Sequence, residues 1–69
     1  MLIRFSKLTG KAIDNDYYIN PDQIIDYGPN KPYKSQTLIH FTDDRKAIVE
    51  KSPREVTDIL VGCGVEVWR

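Results

Sequence analysis

The chain of 69 residues contains one cysteine and one histidine. A single cysteine cannot form a disulfide within the chain, which excludes a disulfide-stapled secreted miniprotein. One cysteine and one histidine are also too few to build a tetrahedral zinc site within one protomer. We therefore expect a reduced, cytoplasmic protein with no metal and no cofactor.

The sequence also lacks net charge and long hydrophobic runs. Ten Lys and Arg balance ten Asp and Glu, so no net field attracts nucleic acid or an anionic membrane. No apolar run approaches the ~20 residues of a membrane helix. The first ten residues have neither the hydrophobic centre nor the cleavage site of a signal peptide. These absences predict no membrane contact and make nucleic acid an unfavoured partner.

Hydrophobic residues nevertheless make up 41% of the chain, including four tyrosines, two phenylalanines and one tryptophan. This content is above that of disordered chains. It predicts one small domain over residues 1–69. Because so short a chain has little surplus stability, self-association is the remaining common stabiliser.

The clearest local signal is a helix that begins at Ser52. Ser52 can cap the helix, Pro53 fits its first position, and Glu55 can reach back to the Ser52 amide. The next residues form an apolar stripe at helical spacing, and the glycines at 62 and 64 can end the helix. The members of this stripe are Val56, Ile59, Leu60 and Cys63. Such a short helix is stable only when it packs on something else.

The remaining chain alternates between strand and turn patterns. We predict strands over residues 1–7, 12–13, 17–19, 24–27, 37–41 and 46–50, with a possible last strand over 65–69. The predicted connections are a turn at 14–16, a helical turn at 20–23, a loop at 28–36 and a tight turn at 42–45. This order predicts an α+β fold, a small and mostly antiparallel β-sheet of four to five strands with one C-terminal helix on one face.

One helix can cover only one face of this sheet. Leu2, Leu38 and Ile48 are expected on the opposite face, where they need a cover. The tail can supply one, since a terminal strand is also a natural place to pair with another chain. We therefore predict a homodimer in which residues 65–69 contribute contacts, with Trp68 as the anchor.

Aromatic residues are the best functional signal. Tyrosine and tryptophan are enriched in binding hot spots. In a protein that binds single strands they would stack on bases, but that requires a basic groove. Lys31 and Lys34 around Tyr33 form the only basic-aromatic cluster, and two lysines make a weak one. Shielding of sheet edges is the alternative role. The candidate partner-binding residues are Tyr17, Tyr18, Tyr27, Tyr33 and Trp68.

Other reactive residues favour ordinary structural roles. His40, Asp43, Asp44 and Arg45 lie within six positions, but a strand-end histidine beside a polar turn explains them. The acids at 14 and 16 are too few for a calcium loop. Cys63 is expected to be a small buried hydrophobe on the helix stripe.

Several segments together resemble the small FlbD-like proteins of flagellar operons, which have relatives in phages and mobile elements. The segments are residues 2–3, 8–10, 19–24, 37–39 and 49–56. The resemblance spans roughly residues 1–60, and the sequence differs from the family at 28–36 and 64–69. The resemblance implies a fold and a bacterial or phage origin, and it implies no catalytic residues.

The sequence therefore predicts a non-enzymatic interaction module that binds a protein partner or itself. A small nucleic-acid-binding regulator is the alternative. An enzyme is unfavoured because the sequence has no triad, phosphate loop or metal cluster.

Overall fold

A computed structural model describes residues 1–10 and 12–65. The elements in chain order are β1 (Ile3–Thr9), β2 (Ala12–Ile19), a 3₁₀ turn (Pro21–Gln23), β3 (Ile24–Asn30), β4 (Tyr33–Phe41), β5 (Lys46–Val49) and α1 (Pro53–Gly62). Neighbouring strands are antiparallel, in the order β2-β1-β5-β4-β3. The predicted α+β fold, a five-stranded antiparallel sheet with one C-terminal helix, is confirmed.

Strand β5 lies at the centre of the sheet, as its apolar residues on both faces predict. The turn between β4 and β5 forms where expected, and Asp44 adopts a positive φ of 67° in it, a conformation that aspartate tolerates better than most residues. A backbone hydrogen bond from Phe41 N–H to Arg45 C=O, at 2.9 Å, closes the turn. The β4–β5 hairpin thus follows directly from local sequence.

Helix α1 begins and ends through the predicted chemistry. The Ser52 hydroxyl accepts from the Glu55 N–H at 3.2 Å, and the Glu55 carboxylate accepts from the Ser52 N–H at 3.1 Å. At the other end Gly64 has a φ of 84°, and Val65 N–H donates to the Leu60 carbonyl at 3.0 Å. This is a Schellman motif, in which a left-handed residue turns the chain back over the last helical turn.

The end of the helix corrects the prediction for Cys63, which is exposed rather than buried. Val56 and Leu60 are buried as expected, and Ile59 packs against the core. The Schellman motif then reverses the chain, so that Val65 packs against the core and Cys63 stays at the helix end. The stripe therefore stops one turn earlier than helical spacing alone suggests.

Residues 14–16 are a β-bulge and not the predicted turn. Phe5 pairs with Tyr17 and Lys7 pairs with Asp14, so two residues of β2 stand opposite Ser6. The Asp14 carboxylate accepts from the Asp16 N–H at 3.0 Å, which is the local bond that suggested a turn. Because both sides of the bulge still pair with β1, β2 continues as one strand.

The predicted loop at residues 28–36 is instead mostly strand. Strand β3 runs to Asn30 and β4 begins at Tyr33, with a cis peptide between Lys31 and Pro32 in the connection. Pairing is irregular here, since Pro29 faces Thr37 while Asn30 faces Tyr33. Proline and glycine made the segment look like a loop, but β3 is an edge strand, where proline is tolerated.

One buried cluster joins all parts of the fold. Ile3, Phe5 and Ile19 come from β1 and β2, while Phe41 comes from β4 and Leu60 from α1. Residues of β2 and β4 also line one cleft together, although two strands separate β2 from β4, so the sheet curves around this cluster. Helix α1 contacts β3 and β4 and covers the same side.

The face without the helix carries a row of aliphatic side chains. Leu8 pairs with Ile13, and Leu38 pairs with Ile48. The pairing of Lys7 with Val49 places Leu8 beside Ile48, because paired residues point to the same face. We call Ile13, Leu8, Ile48 and Leu38 the aliphatic row. The predicted second apolar face thus exists for Leu38 and Ile48, each of which is half-buried.

Candidate functional site

The five candidate aromatics do not form one cluster. Tyr17 and Tyr18 lie near the end of β2, Tyr27 lies on β3, and Tyr33 begins β4. Trp68, with the rest of the predicted tail strand after Val65, lies outside the described residues. Tyr17 and Tyr18 line one cleft together.

Tyr27 has a structural contact inside the protein. Its hydroxyl lies 2.6 Å from the Thr57 hydroxyl, and Thr57 donates to the Pro53 carbonyl at 3.0 Å. Since the Thr57 proton is used in that bond, the Tyr27 hydroxyl donates to Thr57. The pair joins β3 to the first turns of the helix.

Tyr33 is 57% exposed beside the turn between β3 and β4. Lys31 and Lys34 flank it and are exposed as well. This group is a small basic surface with two cations. It does not meet the requirement for stacking along a nucleic-acid strand.

An open cleft of about 240 Å³ lies beside the end of β2. We call it the β2 cleft. It is lined by Leu2, Tyr17, Tyr18, Ile19, Asn20, Gln23, Phe41 and Arg45. Because β2 is an edge strand, consecutive residues that point to opposite faces can both reach the cleft.

Two hydrogen bonds assemble the far wall of the β2 cleft. Gln23 accepts from Thr42 through its backbone carbonyl at 2.8 Å and through its side-chain oxygen at 2.7 Å. These bonds hold the 3₁₀ turn against the turn between β4 and β5. They bring Gln23 beside Phe41 and Arg45, which come from a distant part of the sequence.

The rim of the β2 cleft includes exposed apolar side chains. Leu2 is 66% exposed and Tyr18 is 54% exposed, whereas Phe41 is buried. The Arg45 guanidinium lies 5.7 Å from the centre of the Phe41 ring, within the range of a cation–π contact. Lys7 Nζ lies 4.4 Å from the centre of the Tyr17 ring on the neighbouring strand. The site therefore combines exposed apolar surface with cations held against rings.

The polar part of the β2 cleft includes two side-chain amides. Asn20 caps the 3₁₀ turn, and its side-chain oxygen accepts from the Asp22 N–H at 3.0 Å. The Gln23 side-chain oxygen is likewise engaged by Thr42. Each amide oxygen accepts one hydrogen bond and keeps a second lone pair, so Asn20 and Gln23 can both donate to a ligand and accept from it.

Sequence reasoning missed six of the residues in the β2 cleft, namely Leu2, Ile19, Asn20, Gln23, Phe41 and Arg45. Asn20 and Gln23 were recognised as a helical cap, and Arg45 as part of a turn. Their local roles are real, since both connections form as predicted. Nothing in the local pattern shows that the two connections lie side by side.

The polar set at residues 40–45 does not converge on a catalytic site. His40 Nδ1 lies 2.5 Å from the carboxylate of Asp26 on β3, and Arg45 Nε lies 2.6 Å from Asp43. The histidine and arginine thus have separate acidic partners. The His40–Asp26 pair is solvent-exposed on the face without the helix, away from the β2 cleft.

The described residues show neither a metal-binding cluster nor a membrane-spanning helix. Within residues 1–10 and 12–65, no three His, Cys, Asp or Glu side chains are grouped closely enough to hold a metal ion. In the same part of the chain, no helix has the length and apolar character needed to cross a membrane.

Comparisons with protein-family models, with curated proteins and with solved structures give no significant match to this chain. The resemblance to FlbD-like proteins therefore stays a prediction.

Proposed function

We propose that this protein is a non-enzymatic interaction module, of bacterial or phage origin, that binds a protein partner through the β2 cleft. The observation that supports the proposal most directly is the exposure of Leu2 and Tyr18 at the rim of a cleft whose floor includes buried Phe41. Tyrosine is enriched in binding hot spots, where a few side chains that lose water on binding supply most of the binding energy.

The distribution of charge favours a protein partner over nucleic acid. Three cations lie within 4.0 Å of carboxylates, in the pairs Arg4–Asp16, Arg45–Asp43 and Lys51–Glu55. With a net charge of zero, these pairs leave little positive field for phosphate binding. Release from a heparin column by modest salt is the expected behaviour, and strong retention would favour the nucleic-acid alternative.

The proposal is tested by selecting displayed random peptides on the wild-type protein. We expect selected peptides to lose about tenfold in affinity on Tyr18→Ser, since removal of one hot-spot side chain exceeds 1 kcal/mol. Tyr33→Ser is the matched control, because Tyr33 is equally exposed but lies outside the cleft. Its affinity should not change.

Denaturant unfolding of both variants should show an intact fold, since both side chains are largely exposed. The proposal is wrong if the selection yields no peptide whose binding depends on Tyr18 or Leu2.

A further inference from the structure

The face of the sheet without the helix carries a second interaction surface, centred on the aliphatic row. We infer that this face binds a second copy of the same chain, and that the two β5 strands run antiparallel to each other with Ile48 at the centre of the contact. The charges on either side of Ile48 select both the occupant and its orientation. The contact does not require the β2 cleft.

Strand β5 is the centre of this face, since it lies between β1 and β4. Lys46 and Ile48 alternate along β5 with two residues that are buried in the core. The Glu50 N–H donates to the Ser6 carbonyl at 2.8 Å, so the chain remains extended beside β1 and the alternation continues to Glu50. The open face of β5 therefore carries a cation, an isoleucine and an anion in line.

Lys46 and Glu50 cannot neutralise each other within one chain. An extended strand advances about 3.3 Å per residue, so four residues separate the two positions by about 13 Å. Among residues 1–10 and 12–65, the ion pairs are formed by other side chains, and neither Lys46 nor Glu50 takes part in one. Both charges are thus available to a second molecule.

The symmetry of a dimer determines what each charge meets. Packed sheets keep their strands within about 30° of each other, so a two-fold axis through Ile48 runs either along β5 or across it. An axis along β5 brings each Lys46 and each Glu50 against its own counterpart, and like charges repel. An axis across β5 brings Lys46 of each copy against Glu50 of the other. Because a two-fold axis repeats every contact, opposite charges then meet twice.

The neighbouring strand β4 fits the same orientation. Leu38 pairs with Ile48 and lies on the axis across the strands. On one side of Leu38 is the exposed His40–Asp26 pair, and on the other side the Asn30 side-chain nitrogen donates to the Gln36 side-chain oxygen at 2.9 Å. The axis brings the first pair of one copy against the uncharged amide pair of the other. No like charges meet at this part of the contact.

The size of the contact indicates a weak dimer. Because the sheet curves around its core, the open face is convex, and only β1, β5 and β4 approach the second copy closely. These strands supply fewer residues than the 20–30 per side of a standard interface. We therefore expect a dissociation constant of the order of 100 μM. At low micromolar concentration the copies are separate and the aliphatic row faces solvent.

Analytical ultracentrifugation of the full-length protein, from low micromolar to millimolar concentration, tests the contact. Wild type should change from monomer to dimer over this range. Lys46→Glu and Glu50→Lys should each weaken association at least tenfold, since each replaces two attractive contacts by two repulsive ones. The double variant with both substitutions restores opposite charges and the wild-type net charge, and should dimerise like wild type.

A mixture of the two single variants is a further test of orientation. In an antiparallel contact, the two anions of one variant face the two cations of the other, so the mixture should dimerise although neither variant does so alone. Ile48→Thr should also weaken association about tenfold, by removing an apolar group from the centre. Ile25→Thr is the matched control, because Ile25 is 61% exposed on the edge strand β3, and should leave association unchanged.

Three results would overturn the inference. A wild-type monomer at millimolar concentration would leave the aliphatic row to a different partner. A dimer that both charge variants leave unchanged would have its interface elsewhere on the protein. A double variant and a mixture that both stay monomeric would exclude the antiparallel contact between Lys46 and Glu50. Denaturant unfolding at low micromolar concentration should show that both charge variants keep the wild-type fold.

Discussion

Strands β4 and β5 carry apolar side chains on both faces, but the two faces have different fates. Ile39 and Val49 are fully buried, on the face of the sheet that helix α1 covers. Their neighbours Leu38 and Ile48 remain half-buried in the aliphatic row, on the face without the helix. Nearly identical sequence patterns thus produce a core on one side and a solvent-facing surface on the other.

The difference shows that the helix and the curvature of the sheet decide which apolar residues form the core. The alternation of side chains along a strand shows which residues share a face. It does not show which face is buried when both faces are apolar. Substitutions in the buried face or in helix α1 should therefore destabilise the protein more than matched substitutions elsewhere.

The largest effect is expected from Ile39→Ala. A buried isoleucine replaced by alanine destabilises a protein by about 2–5 kcal/mol, through lost burial and the cavity left behind. Leu38→Ala, one position away on the other face, should lower the free energy of unfolding by about 1 kcal/mol or less. Urea denaturation of both variants measures the difference. Equal losses would mean that the second face is also covered in solution.

Loss of the helix cap should destabilise helix α1, which covers the buried face of the sheet. Ser52→Ala removes the hydroxyl that accepts from the Glu55 N–H, and should lower the free energy of unfolding by about 1 kcal/mol. Glu55→Ala should have a smaller effect. Because both residues belong to one capping box, the double variant should be sub-additive, as a denaturation cycle of the four proteins can measure. A neutral Ser52→Ala would contradict the role assigned to the cap.

The hydrogen bond between Tyr27 and Thr57 joins helix α1 to strand β3. Tyr27→Phe should lower the free energy of unfolding by about 1 kcal/mol, the net value of a typical hydrogen bond. Tyr33→Phe is the control and should have no effect, since Tyr33 is exposed. If thermal unfolding shows the same midpoint for Tyr27→Phe and for wild type, the contact contributes nothing to helix docking.

The smallest effect is a pH dependence at the helix start. The Ser52 N–H donates to the Glu55 carboxylate and lowers the pKa of that group, and the Ser52 hydroxyl and Lys51 act in the same direction. A lowered folded-state pKa adds stability above the unfolded-state pKa of about 4.3, and this stability is lost as pH falls through the folded-state value.

Wild type should therefore exceed Glu55→Gln in stability at pH 7, and the gap should close in acid. Chemical denaturation of both proteins between neutral and acidic pH measures the gap. A gap that widens in acid would contradict the assignment.

Most of the secondary structure could be predicted because its causes are local. The capping box at Ser52, the cap at Asn20 and the turn before Arg45 each depend on residues three or four positions apart. One error occurred where a local bond has two structural uses. The Asp14 side chain binds the Asp16 N–H in a bulge as it would in a turn.

The candidate site was predicted in part. The tyrosines at 17 and 18 were singled out for their type, and both line the β2 cleft. Their partners Phe41 and Arg45 could not be predicted, since contacts between β2 and the end of β4 depend on the curvature of the sheet. The homodimer predicted from residues 65–69 remains a prediction, as most of that segment lies outside the described residues.

The sequence by itself determined the α+β class, the residue at which the helix begins and the position of the β4–β5 hairpin. Capping, turn chemistry and alternation determine these features because they act over a few residues. Tertiary structure alone decided that residues 14–16 continue a strand and that the 3₁₀ turn meets the β4–β5 turn. Each of these outcomes depends on pairing or packing between residues far apart in the chain. Such contacts form only when the whole sheet curves around its core.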